Sequence, residues 1–194
     1  MNEEENEQLL IPSVFYSFDT KRQFERCIEC DRYLLDGSTE YFIEKAIKNY
    51  DGFTATDGIF EYALCLPCAE RLRQKMSKES FRKLESYFAQ NIDFNKRMSL
   101  MQNHPYEPEF WLNECMISGK KRGELKEYQL FAHCKGNHLV MSQMPYVISG
   151  ETLEALSDLL SDETLNELDD FSRRHFGPPP ELQEDLPIRR VVMI

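Results

Sequence analysis

Cys65-Leu-Pro-Cys68-Ala-Glu-Arg-Leu-Arg73 places two thiols on either side of a helix start. Pro67 suits a first helical turn, where its missing N–H costs no hydrogen bond and its fixed φ already matches the helix. A second pair, Cys27-Ile-Glu-Cys30, lies upstream, with 34 residues between the two. A two-residue spacer makes a tight turn that brings two thiolates to about 2.3 Å from one Zn²⁺, and two such turns complete a tetrahedron. Four thiolates leave the cluster a net charge of about −2, which the unpaired N–H groups and positive dipole end of a helix N-terminus stabilise. Cys27, Cys30, Cys65 and Cys68 are therefore the candidate ligands of a structural Zn²⁺.

Between the pairs, Tyr41–Lys48 mixes β-branched and aromatic residues with polar ones and reads as a strand. Residues 49–58 hold two Asp-Gly dipeptides and read as a turn, and Ile59–Leu64 reads as the returning strand. Knuckle, hairpin and a second cysteine pair entering a helix are the parts of a treble clef, and residues 27–76 resemble that broad group of four-cysteine zinc-binding proteins. The resemblance implies a metal of structural kind. A catalytic zinc would need a coordination position open to water, and four cysteines close the shell. A dithiol redox site is the competing reading, but it needs just one Cys-x-x-Cys, in a thioredoxin-like layout.

The second half of the chain repeats the pattern without most of its sulfur. Ser77–Tyr87 and Ser161–Phe171 each offer a serine cap, an acidic first turn and apolar residues at three matching offsets: Phe81, Leu84 and Tyr87 against Leu165, Leu168 and Phe171. Upstream, Phe24–Cys30 aligns with Leu112–Ser118, and Cys65–Leu72 aligns with Tyr146–Leu153. In this register Cys115 alone survives of the four ligands, with Ser118, Tyr146 and Ser149 in the other places and the Tyr146 ring filling the volume of the metal site. The expected fold is α+β, two treble-clef-like units from an internal duplication, with zinc retained in the first. A mixed second site from Cys115, His133, Cys134 and His138 competes with this. Adjacent residues on a strand point to opposite faces, so His133 and Cys134 are poorly disposed to share an ion.

The expected divisions are a flexible acidic N-terminal arm at 1–20, a zinc-binding unit at 21–103, a degenerate unit at 104–176 and a Pro-rich extended tail at 177–194. Helices are expected near 67–76, 78–91, 150–160 and 162–175, with a linker whose His104-Pro-Tyr-Glu-Pro108 disfavours helix. The tail ends in apolar Val191, Val192 and Ile194, which suits docking as a strand on a sheet edge. The N-terminus is acidic where a secretory signal is basic and then apolar, and no apolar run reaches membrane-spanning length; a cytoplasmic protein without membrane contact is expected.

A net charge of −11 opposes long-range attraction to nucleic acid. Charge is unevenly spread. Residues 69–88 hold six basic side chains, Arg71, Arg73, Lys75, Lys78, Arg82 and Lys83, whereas 150–171 hold eight acidic and no basic ones. The six are the candidate partner-binding residues. No phosphate loop, nucleophile elbow or His-Glu-x-x-His helix is present, and the first 103 residues contain no histidine with which a His-Asn-His nuclease could activate water. The sequence points to a nonenzymatic zinc-binding protein that binds another protein, with nucleic-acid binding through helix 71–83 as the alternative.

Overall fold

Strand β1 (Glu40–Asn49) presents Tyr41, Ile43, Lys45 and Ile47 to one face and Phe42, Glu44 and Ala46 to the other, and its six buried residues come from both faces. Such two-sided burial marks a central strand. The computed structural model describes residues 9–50, 52 and 56–177. In it β1 pairs antiparallel with β2 (Thr56–Cys65) on one side and with β3 (Glu127–Lys135) on the other. The far edge of β3 is shared by β4 (His138–Leu139) and β5 (Tyr146–Ser149), which completes a five-stranded antiparallel sheet. The described residues are mixed α+β, and the sheet runs without a break from the first half of the chain into the second.

Each outer strand leads directly into helices. After β2 come α1 (Leu66–Lys75) and α2 (Lys78–Asn91); after β5 come α5 (Gly150–Ser157) and α6 (Asp162–Phe176). Between these sets lie α3 (Phe94–Asn103) and the single turn α4 (Pro108–Trp111). The linker expected here is therefore largely helical. Asp93 caps α3 by accepting from the Lys96 N–H, and Pro108 opens α4 in its first turn, the place where proline initiates helix instead of breaking it.

The β1–β3 ladder holds nine pairs, and the middle one sets Glu44 opposite Phe131. The helices mirror this arrangement. The Ser77 and Ser161 hydroxyls, which cap α2 and α6, lie 2.9 Å apart. Ser77 N–H donates to Thr164 Oγ1 at 2.9 Å, and Ser161 N–H donates to Ser80 Oγ at 2.9 Å. Two helix N-termini that meet repel through their dipoles; four hydroxyls and the first-turn acids Glu79, Asp162 and Glu163 offset that repulsion. Beneath them, Met76, Leu84, Leu156, Leu160 and Leu168 pack on Phe131, Tyr146 and Ile148 of the sheet.

Residues 9–18, within the arm expected at 1–20, cover the opposite face. Leu9 C=O accepts from the Leu139 N–H at 2.7 Å, Ile11 N–H donates to Asn137 C=O at 3.1 Å, and Phe15 is fully buried. The arm is then clamped by charge. Both Glu61 carboxylate oxygens accept from the Phe18 N–H, at 2.7 and 2.9 Å, while buried Lys45 pairs with Glu61 at 3.2 Å and sits 4.0 Å from the Phe18 ring centroid. Gly58 makes room, since a Cβ there would approach the Phe18 ring to 2.6 Å. The tail at 178–194, with its expected strand, lies outside the described residues.

Candidate metal centre

The two cysteine pairs reach their site by different local routes. At the knuckle, Cys27 N–H donates to Arg32 C=O and Asp31 N–H to Cys27 C=O, both at 2.9 Å, with Asp31 at a positive φ of 57° that closes the turn. Cys65 ends β2 and is the N-cap of α1, so Cys68 falls in the first helical turn, with the intervening proline also in that turn. The hydrogen bond from Ile28 N–H to Ala63 C=O, 2.9 Å, ties knuckle to strand. The sulfurs of Cys27, Cys30, Cys65 and Cys68 all lie within 4.8 Å of one another, a group able to hold a metal ion. Cys30 and Cys65 are 3.7 Å apart.

Cys65 N–H donates to Cys27 at 3.3 Å and Arg71 Nη2 to Cys68 at 2.8 Å. The Arg32 and Cys68 backbones favour the thiolate forms of Cys30 and Cys65. Partial burial works against ionisation of Cys30, but the Arg32 backbone and the neighbouring sulfurs outweigh it and bring that thiol down to about 7. Burial pushes Cys65 and Cys68 up, reinforced at Cys68 by the other sulfurs. One thiolate forms readily and the next ones repel it; a divalent cation removes that conflict. The donor set is soft, tetrahedral in number and stabilised by N–H groups, which fits Zn²⁺.

Around Cys115 the backbone is arranged in the same way. Cys115 N–H donates to Lys120 C=O at 2.9 Å, Gly119 N–H to Cys115 C=O at 2.9 Å with φ 67°, and Met116 N–H to Val147 C=O at 2.8 Å. Ser149 ends β5, caps α5 and gives its N–H to the Cys115 sulfur at 3.3 Å, as Cys65 does for Cys27. The residue placed relative to Cys115 as Cys65 is to Cys27 is thus Ser149, not Tyr146, and Thr152 takes the place matching Cys68. The expected register is corrected by three residues. Tyr146 does not fill a metal-sized space; its ring packs 5.0 Å from Phe131. Ser149 Oγ and Thr152 Oγ1 hydrogen-bond at 2.8 Å, and Thr152 lies 3.9 Å from the Cys115 sulfur. The signal that would have found this register is the strand-to-helix boundary, because both N-caps follow a strand directly.

Among the described residues, Cys115, His133, Cys134 and His138 do not come together. His133 Nε2 lies 3.0 Å from Glu40, and fully buried Cys134 faces the other way, where burial pushes its thiol up.

The six basic candidates are all exposed, yet most have partners within the chain. Besides Arg71 on Cys68, Arg73 stacks 4.8 Å from the Phe81 ring, Lys75 pairs with Glu167 of α6 at 2.9 Å, and Lys83 pairs with Glu79 at 2.8 Å. Lys78 and Arg82 complete the exposed set on α2. The two oppositely charged helical regions are thus joined at the surface by one pair, Lys75 with Glu167. Sequence reasoning also missed Glu29, between the knuckle cysteines, which accepts from Arg174 at 3.0 Å and contacts His175 at 2.6 Å, so that α6 latches the first knuckle. No helix of the described residues is long and apolar enough to cross a membrane. No family model, no curated protein and no solved structure matches the chain.

Proposed function

We propose that this is a nonenzymatic protein in which Zn²⁺, bound by Cys27, Cys30, Cys65 and Cys68, secures the first of two treble-clef-like units, and that its surface serves to bind another protein. The convergence of four sulfurs within 4.8 Å carries the metal part of this reading. A closed four-cysteine shell leaves no position for substrate water, which favours a structural ion. The units, 21–103 and 104–176, share one sheet through the β1–β3 ladder. Descent from a duplication is supported by the matched knuckle bonds, by the Cys65 and Ser149 amides on corresponding sulfurs and by the reciprocal Ser77–Ser161 contact.

A protein partner is favoured over nucleic acid on two grounds. Four of the six basic candidates are engaged within the chain, and the net charge is −11. Five of the eight large exposed apolar side chains among the described residues, Phe94, Met98, Met101, Tyr106 and Phe110, also fall within 17 residues of sequence.

Metal analysis tests the first part: one zinc per chain is expected, and its removal by a chelator lowers the melting temperature. A folded, metal-free chain indifferent to chelators overturns it. A native gel tests the partner class. No salt-dependent DNA or RNA shift is expected; a shift abolished by Lys78→Glu with Arg82→Glu would establish the nucleic-acid alternative instead.

A further inference from the structure

We propose that Cys30 is a modification site, the ligand through which a peroxide or a soft electrophile opens the metal centre. This rests on the zinc reading above. Of the four ligands, Cys27, Cys65 and Cys68 are 0–3 % exposed, whereas Cys30 stands at the exposed tip of the knuckle. Exposure decides access, and a zinc-bound sulfur is already a thiolate. The other two thiols of the chain offer no competition, because Cys115 and Cys134 are both 0 % exposed.

A neighbouring sulfur supplies the second step. Cys65 lies 3.7 Å from Cys30, within reach of a disulfide after a small shift of the knuckle. The Cys30 thiolate attacks the O–O bond of hydrogen peroxide, gaining one oxygen as a sulfenic acid while the other leaves as hydroxide. The Cys65 thiolate then attacks the Cys30 sulfur; the S–S bond forms, the S–O bond breaks and a second hydroxide departs. Two thiolates lose two electrons and one peroxide gains two. Zn²⁺ is left with Cys27 and Cys68 alone, too few ligands to hold it, and the clamp between hairpin and α1 is released.

The test uses the full chain loaded with zinc and assayed first for metal content. Under native conditions with limiting N-ethylmaleimide, peptide mapping finds Cys30 labelled roughly tenfold ahead of the other five cysteines. With hydrogen peroxide, zinc appears on a metallochromic chelator as two thiols per chain are lost, and a Cys30–Cys65 peptide is recovered. A chain that binds no zinc overturns the metal reading and this proposal together. One zinc per chain with even labelling, or with a peroxide-formed disulfide that omits Cys30, overturns the proposal alone.

Discussion

Cys27 has three more sulfurs around it; Cys115, in a turn with matching backbone bonds, has the hydroxyls of Ser118, Ser149 and Thr152 nearby. The difference lies in how each set satisfies itself. Hydroxyls both donate and accept, so Ser149 and Thr152 pair at 2.8 Å and the site closes without an ion. Cys115 then accepts N–H bonds from Ser118 at 3.4 Å and Ser149 at 3.3 Å. Burial opposes ionisation of that thiol, but the Ser118 hydroxyl together with these backbone donors outweighs it and holds it below the usual range. Four thiols are weak donors to one another, and once ionised they repel. A turn of one shape can thus carry four sulfurs spaced to hold an ion or a closed set of ordinary hydrogen bonds, according to side chains that occupy four positions.

The sharpest way to break this comparison is to remove one ligand from each site. Cys68→Ser should cost on the order of 10 kcal/mol of apparent folding free energy with the metal it releases. Cys115→Ala, which leaves a small cavity and unpaired N–H groups, should cost about 1–3 kcal/mol. Thermal melts with and without chelator measure both, and equal losses would mean that the second site also holds an ion. The converse experiment converts hydroxyls to sulfur. Ser118→Cys, Ser149→Cys and Thr152→Cys together should raise the zinc content from one to two per chain; a content that stays at one would show that the second turn has lost its metal geometry.

The middle of the sheet offers a further contrast, since Glu44 faces Phe131 across the ladder. Burial pushes Glu44 up from 4.5 to about 8, opposed by the hydrogen bond from Tyr62, and its Oε1 has no hydrogen-bond partner. A carboxyl with a raised folded value binds its proton more tightly when folded. Its contribution is complete below about pH 4.5 and is lost towards pH 8, at about 1.4 kcal/mol per pH unit. Thiol protonation releases zinc in acid and acts in the opposite sense, so the readout is the difference between Glu44→Gln and the parent chain across pH 5–8. A parallel pair of profiles would place the Glu44 proton equilibrium elsewhere. The smallest expected effect lies where the helices meet. Ser77→Ala and Ser161→Ala should each cost about 1 kcal/mol, and the double variant less than their sum, because the two hydroxyls share one hydrogen-bond network. Strict additivity in denaturant melts would show that the two caps act independently.

Some of this was legible along the chain. Cysteine spacing, the proline in the first helical turn and the Asp-Gly turn mark knuckle, hairpin and helix, because each depends on backbone chemistry within a few residues. The serine caps of α2 and α6 were readable for the same reason. Other features were not. Aligning Cys65–Leu72 with Tyr146–Leu153 hid the match of the N-cap Ser149 to Cys65, and reading the prolines of 104–108 as disfavouring helix hid the place of Pro108 at a helix start. The basic stretch suggested an outward surface until Lys75 was seen against Glu167, 92 residues away.

Local signals determine which turns, strands and helices this chain forms, and which four sulfurs are spaced to share an ion. Tertiary structure alone decided that β1 and β3 join both halves in one sheet, that residues 9–18 cover its second face, and that Lys75 pairs with Glu167. These outcomes depend on contacts between residues far apart in sequence. Their free energy comes from burial and pairing that exist only once the elements have packed.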